Sequence, residues 1–180
     1  MLTLMTRAKL YSSAKRVRLL ALDVDGVLTD RRMIVGSDGQ QIKSFDVRDG
    51  FGLVLARRAG LKTAFITSEK SPAVAHRAKQ LKIDWIAQAA RSKRDSFREC
   101  LAHFRLQPSA VCYMGDDLLD LPVLTRVGLS ATVADAHPDV IKRVDYVASL
   151  RAGRGAVREL VEFILKAQGL WARILKEYLT

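Results

Sequence analysis

The chain has 180 residues, a hydrophobic fraction of 49% and mean hydropathy of +0.03, enough for one domain with a real core. It holds no apolar run near the roughly 20 residues that cross a bilayer, and two cysteines, Cys100 and Cys112, are too few for a disulfide framework; a reduced, cytoplasmic setting is the expectation. The formal charge of +11 fits steering of an anionic small molecule or a solvated basic surface, while 7% aromatics and the absence of a nucleic-acid-binding motif argue against nucleic acid and against a membrane partner.

Residues 1–18 are basic and free of acids, a composition shared by transit peptides and short surface helices. No apolar signal-peptide core follows, and a surface helix is the expectation. Leu19-Leu20-Ala21-Leu22 running into Asp23-Val24-Asp25-Gly26 predicts a buried strand that ends in a polar loop. Residues 33–35 and 42–45 around Gly36-Ser37-Asp38-Gly39 predict a β-hairpin. Asp49-Gly50 opens a helical pattern that Gly60 stops. A strand at 62–66 follows, then Ser71-Pro72 as cap and first-turn proline of a helix through Leu81.

Beyond it come a strand at 84–87, a helix from Ser92 to about Phe104 and a strand at 110–113 entering Met114-Gly115-Asp116-Asp117. A helix at 118–125, a strand at 129–132, a short helix from His137, a last strand at 145–148 and a last helix at 155–167 complete the series. This alternation predicts right-handed βαβ units, hence an α/β fold with a doubly wound, Rossmann-like parallel sheet. The expectation is a single domain, 1–180, with a basic extension at 1–18, an inserted hairpin at 31–47 and a tail at 169–180.

Ligands of such sheets bind beyond the carboxyl ends of the strands. Asp23 and Asp25, Thr67, Lys93, and Asp116 and Asp117 all fall at or just past strand ends. Each alone reads as a loop, a cap or a solvated residue; their order at successive strand ends is what points to one pocket. These residue types suit phosphoryl transfer. Asp23 can accept the phosphoryl group, and Asp25 can protonate the departing oxygen and then activate water. Thr67 can donate to a phosphoryl oxygen, and Lys93 offsets developing negative charge. Carboxylates crowded at one strand end need a hard cation, for which Mg²⁺ is the natural choice.

The stretch Asp23-Val24-Asp25-Gly26-Val27-Leu28-Thr29, the pair Ile66-Thr67, Lys93, and Gly115-Asp116-Asp117-Leu118-Leu119-Asp120 resemble the four motifs of the haloacid dehalogenase superfamily of phosphatases. The resemblance implies Mg²⁺ held by the Asp23 carboxylate, the Asp25 carbonyl and Asp116, with Asp117 and Asp120 in support. Only the hairpin and one helix separate the first two motifs, which leaves no room for a cap domain. An open site implies a macromolecular substrate or an oligomer that covers it.

Phe45-Asp46-Val47-Arg48-Asp49-Gly50-Phe51-Gly52 and Ala152-Gly153-Arg154-Gly155-Ala156-Val157-Arg158-Glu159 are similar to a capless group of that superfamily, which acts on the 8-phosphate of an eight-carbon keto-deoxy sugar acid in lipopolysaccharide synthesis. The similarity spans about residues 18–170. It implies a homotetramer with associating hairpins and a tail over a neighbouring site. It also implies substrate contacts from Asp25, Asp46, Val47, Arg48, Asp49, Gly50, Glu69, Arg77 and Lys93. Two departures stand out: Ser68-Glu69 where the group has Gly-Arg, and Val54 where it tends to have Arg. Phosphatases of nine-carbon ulosonates carry Glu at the position of Glu69, so a nine-carbon substrate is the alternative. A non-catalytic module like that of sialic-acid cytidylyltransferases is a further alternative, against which the intact Asp23, Asp25, Lys93 and Asp116 argue.

Overall fold

In the computed structural model, which describes residues 7–179, the first long apolar run becomes strand β1 (Leu19–Leu22), buried along its whole length. Side chains alternate across a strand, and here Leu20 and Leu22 enter one core cluster while Leu19 and Ala21 enter another. After the hairpin strands β2 (Ile34–Val35) and β3 (Gln41–Ile42) come β4 (Lys62–Ile66), β5 (Trp85–Ala87), β6 (Val111–Met114), β7 (Leu129–Thr132) and β8 (Tyr146–Val147). The six long-range strands pair in parallel in the order β5-β4-β1-β6-β7-β8. The order reverses at β1, which is where a doubly wound sheet leaves its crevice.

Helices cover both faces. On one side α1 (Arg7–Lys15), α2 (Val47–Arg58), α3 (Pro72–Leu81) and α7 (Ala156–Ala167) bury Ala14, Leu53, Val74 and Leu160 against Leu20, Leu22 and Phe65. On the other, α4 (Lys93–Phe104), α5 (Leu121–Leu124) and α6 (Pro138–Ile141) bury Phe97, Val123 and Val140 against Leu19, Ala21 and Tyr113. A further helix, α8 (Trp171–Glu177), packs on α7.

The register sets the site. Leu22 pairs with Phe65 and with Met114, so the loops after β1, β4 and β6 start at one level.

Four features differ from expectation, the first two for a local reason. Helix α2 starts at Val47 because Asp46 is its cap, accepting from the amides of Arg48 and Asp49; it ends where expected, with Gly60 at φ +90°. The expected helix at 118–125 divides into a 3-10 turn (Leu118–Asp120) and α5, since Pro122 has no N–H to donate to the Leu118 carbonyl. The tail carries α8, so α7 is not the last helix, and the hairpin strands are two residues each. Residues 1–6 of the expected N-terminal helix lie outside the described residues.

Candidate active site

Asp23 is the first residue past β1, and its amide donates to the Met114 carbonyl at 2.9 Å. Ser92 caps α4 by accepting from the Asp95 amide, which places Lys93 in the first turn with its ammonium directed inward. Lys93 Nζ lies 2.7 Å from Asp23 Oδ1 and 2.7 Å from Asp120 Oδ1. Asp120 is fully buried and accepts in addition from the Tyr113 hydroxyl at 2.6 Å and from the amides of Asp116 and Asp117 at 3.0 and 3.2 Å. Both its oxygens are committed, so Asp120 fixes Lys93 and the 116–117 loop. Gly26 has φ +95° and lies against the Asp116 carboxylate; a β-carbon there would collide with it.

Carboxylate oxygens of Asp23, Asp116 and Asp120 lie within 4.8 Å of one another. Burial, reinforced by Asp120, pushes the Asp23 carboxyl up to about 8 against the pull of Lys93. Burial and Asp120 push Asp116 up to about 7 against the pull of Arg31. Burial alone would lower the Lys93 ammonium, but Asp23 and Asp120 outweigh it and hold it above its ordinary value. Buried carboxylates that resist joint ionisation, offering only oxygen donors, form a site whose chemistry fits Mg²⁺.

Around this centre lies a cavity of about 260 Å³, lined among others by Asp23, Asp25, Thr67, Glu69, Lys93, Asp116, Asp117 and Asp120. Thr67 is buried and accepts from the Glu69 amide at 3.3 Å, which leaves its own proton to donate. Asp117 caps the turn after it, accepting from the Leu118 amide at 2.7 Å. Two residues that no motif marked complete the rim. Lys43, just past β3, places Nζ 2.5 Å from Asp25 Oδ1 and 2.6 Å from Glu69 Oε2. Arg31 lines the cavity 3.9 Å from Asp116. Their partners are distant in sequence and follow no spacing rule, so no signal in the chain could have found them.

The remaining expected substrate contacts lie elsewhere in the chain. Asp46, Val47 and Arg48 line a separate depression with Asp30 and Arg154, where Arg48 donates to the Arg154 carbonyl at 2.8 Å. Asp49 is buried, and its oxygens accept from the amides of Gly155 and Arg158 at 3.1 and 2.9 Å. Its carboxylate thus serves the orphan donors at the start of α7. Gly50 lies against the guanidinium of Arg77. Arg77 in turn donates to the Asp46 carbonyl at 3.4 Å and stacks 5.6 Å from the Phe45 ring. Gly50 and Arg77 therefore belong to the junction of α2 and α3 rather than to the carboxylate pocket.

Residues 61–160 match the haloacid dehalogenase-like hydrolase family. The chain is 44% identical to the 3-deoxy-D-manno-octulosonate 8-phosphate phosphatase KdsC of Escherichia coli K12 over 162 residues, 90% of this chain and 86% of that one. Among solved structures, the phosphatase of that substrate from Yersinia pestis superposes with a TM-score of 0.90 at 40% identity, covering 91% of this chain and 89% of that one. The Moraxella catarrhalis phosphatase, solved with magnesium, phosphate and KDO, superposes with a TM-score of 0.94 at 34% identity, covering 96% and 99%.

Proposed function

The chain belongs to the haloacid dehalogenase-like hydrolases and, within them, to the 3-deoxy-D-manno-octulosonate 8-phosphate phosphatases, and from that premise we propose how its own residues carry the reaction. It is a Mg²⁺-dependent phosphatase that hydrolyses this eight-carbon sugar-acid phosphate to KDO and phosphate through an aspartyl phosphate. The observation that carries the assignment of roles is the buried Asp23–Lys93–Asp120 chain, whose two carboxylates belong to an all-carboxylate cluster with Asp116.

In this reading the Asp23 carboxylate attacks phosphorus while the bond to the sugar oxygen breaks. Asp25 gives that oxygen its proton, then takes one from the water that attacks the aspartyl phosphate; phosphate leaves and the Asp23 carboxylate is restored. Thr67 donates to a phosphoryl oxygen, and Lys93 holds the nucleophile in line while offsetting charge. Asp23, Asp116 and the Asp25 carbonyl would hold Mg²⁺, which supplies charge neutralisation at the phosphoryl oxygens. Asp117 and Asp120 position this loop.

Glu69 reverses the charge expected at its position, but Lys43 neutralises it in place. This local pairing supports keeping the eight-carbon substrate first. Met33, Ile34, Val35 and Ile42 are exposed apolar side chains of the hairpin, Ile34 at 57%. We place the contact between copies of a homotetramer there, with the tail of one copy over the site of a neighbour. The unpaired, buried thiols of Cys100 and Cys112 fit a reducing compartment, the cytoplasm. No helix among the described residues is long and apolar enough to cross a membrane.

The test is phosphate release from 3-deoxy-D-manno-octulosonate 8-phosphate, with nine-carbon ulosonate 9-phosphates and ordinary sugar phosphates alongside. We expect activity that EDTA removes, that Asp23→Asn abolishes and that favours the eight-carbon ester. Full activity in Asp23→Asn would refute the nucleophile, and a flat or nine-carbon profile would refute the substrate.

A further inference from the structure

Six carboxylates line the pocket, Asp23, Asp25, Glu69, Asp116, Asp117 and Asp120, against the cations Lys93 and Arg31 in its lining and Lys43 at its rim, paired with Asp25 and Glu69. Lys93 is committed to Asp23 and Asp120 in the floor. An incoming phosphate dianion therefore meets net negative charge at the mouth, even with one divalent cation bound below. Arg31, with its side chain 38% exposed where that of Lys43 is 1% exposed, is the cation open to it there.

Its placement is specified from both ends. The backbone of Arg31 is in the left-handed region, φ 67°, which disfavours any residue with a β-carbon. Such a conformation persists only where the surroundings over-determine it, and it gathers at ligand-binding positions. The guanidinium is gripped by Asp135, through both the side-chain carboxylate and the main-chain carbonyl. Asp135 is itself tied down, accepting from the Ala152 amide at 3.0 Å. Arg31 Nη1 thus sits 3.9 Å from Asp116, with the side chain 38% exposed to the mouth.

We propose that Arg31 is a substrate-binding residue that holds oxygens of the phosphoryl group at the pocket mouth. This rests on the phosphatase reading and adds to it a residue that none of the four motifs contains. A guanidinium presents two N–H donors in one plane, matched to two phosphoryl oxygens, and Asp135 sets its orientation before the ligand arrives.

The conformation itself supplies the probe. Glycine is at ease at φ 67°, so Arg31→Gly removes the cation without straining the fold. The Mg²⁺-loaded protein is titrated calorimetrically with orthophosphate, which reports the contact without needing turnover. We expect Arg31→Gly to weaken orthophosphate binding about tenfold or more, with a melting temperature in Mg²⁺ equal to or above that of the wild type. KM for the sugar-acid phosphate should rise by a similar factor with a smaller change in kcat, and Arg31→Lys should recover part of the affinity. Should Arg31→Gly melt early, Arg31→Gln decides the question by keeping length and losing charge. Orthophosphate affinity unchanged in the folded variants would overturn the proposal, including when KM rises, since the anion met would then be the carboxylate. A wild type that binds phosphate through Arg31 but releases none from the ester would support this contact and sink the phosphatase reading instead.

Discussion

Lys43 is the most consequential single residue outside the four motifs. Its side chain is 1% exposed and bridges Asp25 and Glu69 at 2.5 and 2.6 Å, so the hairpin is latched to the carboxylate proposed to transfer the proton. Burial opposes its charge, but the two carboxylates prevail and hold the ammonium above its ordinary value. Removing one partner of a buried ion pair costs about 3–5 kcal/mol, less where the stranded groups can reach water. Asp25 and Glu69 retain 35% and 29% of their side-chain exposure. Lys43→Met should therefore destabilise by about 1–2 kcal/mol in denaturant melts, below the range for fully buried pairs. Its kcat should fall further than stability explains, because Asp25 loses its orientation. Adding Glu69→Gln should restore stability more than turnover; recovery of both together would make Lys43 a purely structural residue.

At the scale of elements, the two edge strands are held by the same device. Asp84, entering β5, accepts from the Thr63 amide, the Thr63 hydroxyl and Lys62 Nζ at 2.9, 3.0 and 3.0 Å. Asp145, entering β8, accepts from the amide and hydroxyl of Ser130 at 3.0 and 2.8 Å. Each clamp ties an edge strand to its inner neighbour at the end opposite the active site. Burial alone would raise the Asp84 carboxyl, but Lys62 and Thr63 outweigh it and hold it below its usual range. A carboxyl depressed by folding stabilises above its unfolded value, near 3.8, and loses that contribution as pH falls through the lower folded value. The difference in melting temperature between wild type and Asp84→Asn should thus be full at pH 7 and shrink below about pH 4. A difference that persists undiminished at pH 3 would mean that the clamp is steric. Asp49 performs the corresponding service for α7, which explains why its motif lies so far from the pocket.

For the whole molecule, the exposed hairpin and the basic surface are the features a lone protomer leaves unexplained. Ile34 and Ile42 pair directly across the hairpin, 57% and 54% exposed. Placing glutamate at both should shift the protein to monomer in light scattering while leaving orthophosphate binding intact. Turnover of the sugar-acid phosphate should fall more than turnover of a small artificial ester. An unchanged mass would remove the hairpin from the proposed interface. The charge of +11 fits a field that draws a polyanionic substrate toward a carboxylate-rich mouth; Arg31 is where such a field would end in a contact.

The sequence by itself determined the parallel sheet, its strand positions and the residues at the strand ends, from Asp23 to Asp116. These are written in local punctuation: apolar runs that stop at polar pairs, Ser92 as a cap, Gly60 as a stop. Local signals also misled where competing local chemistry was stronger, as when Asp46 claimed the start of α2 and Pro122 divided the helix before β7. Only the tertiary structure decided which groups meet across the chain. The grip of Asp135 on Arg31, the latch of Lys43 on Asp25 and Glu69, and the cap that Asp49 lends α7 span 104, 18, 26 and about 106 residues. Such pairings depend on which charges the packed helices leave facing one another at the pocket, and no periodicity in the chain encodes that.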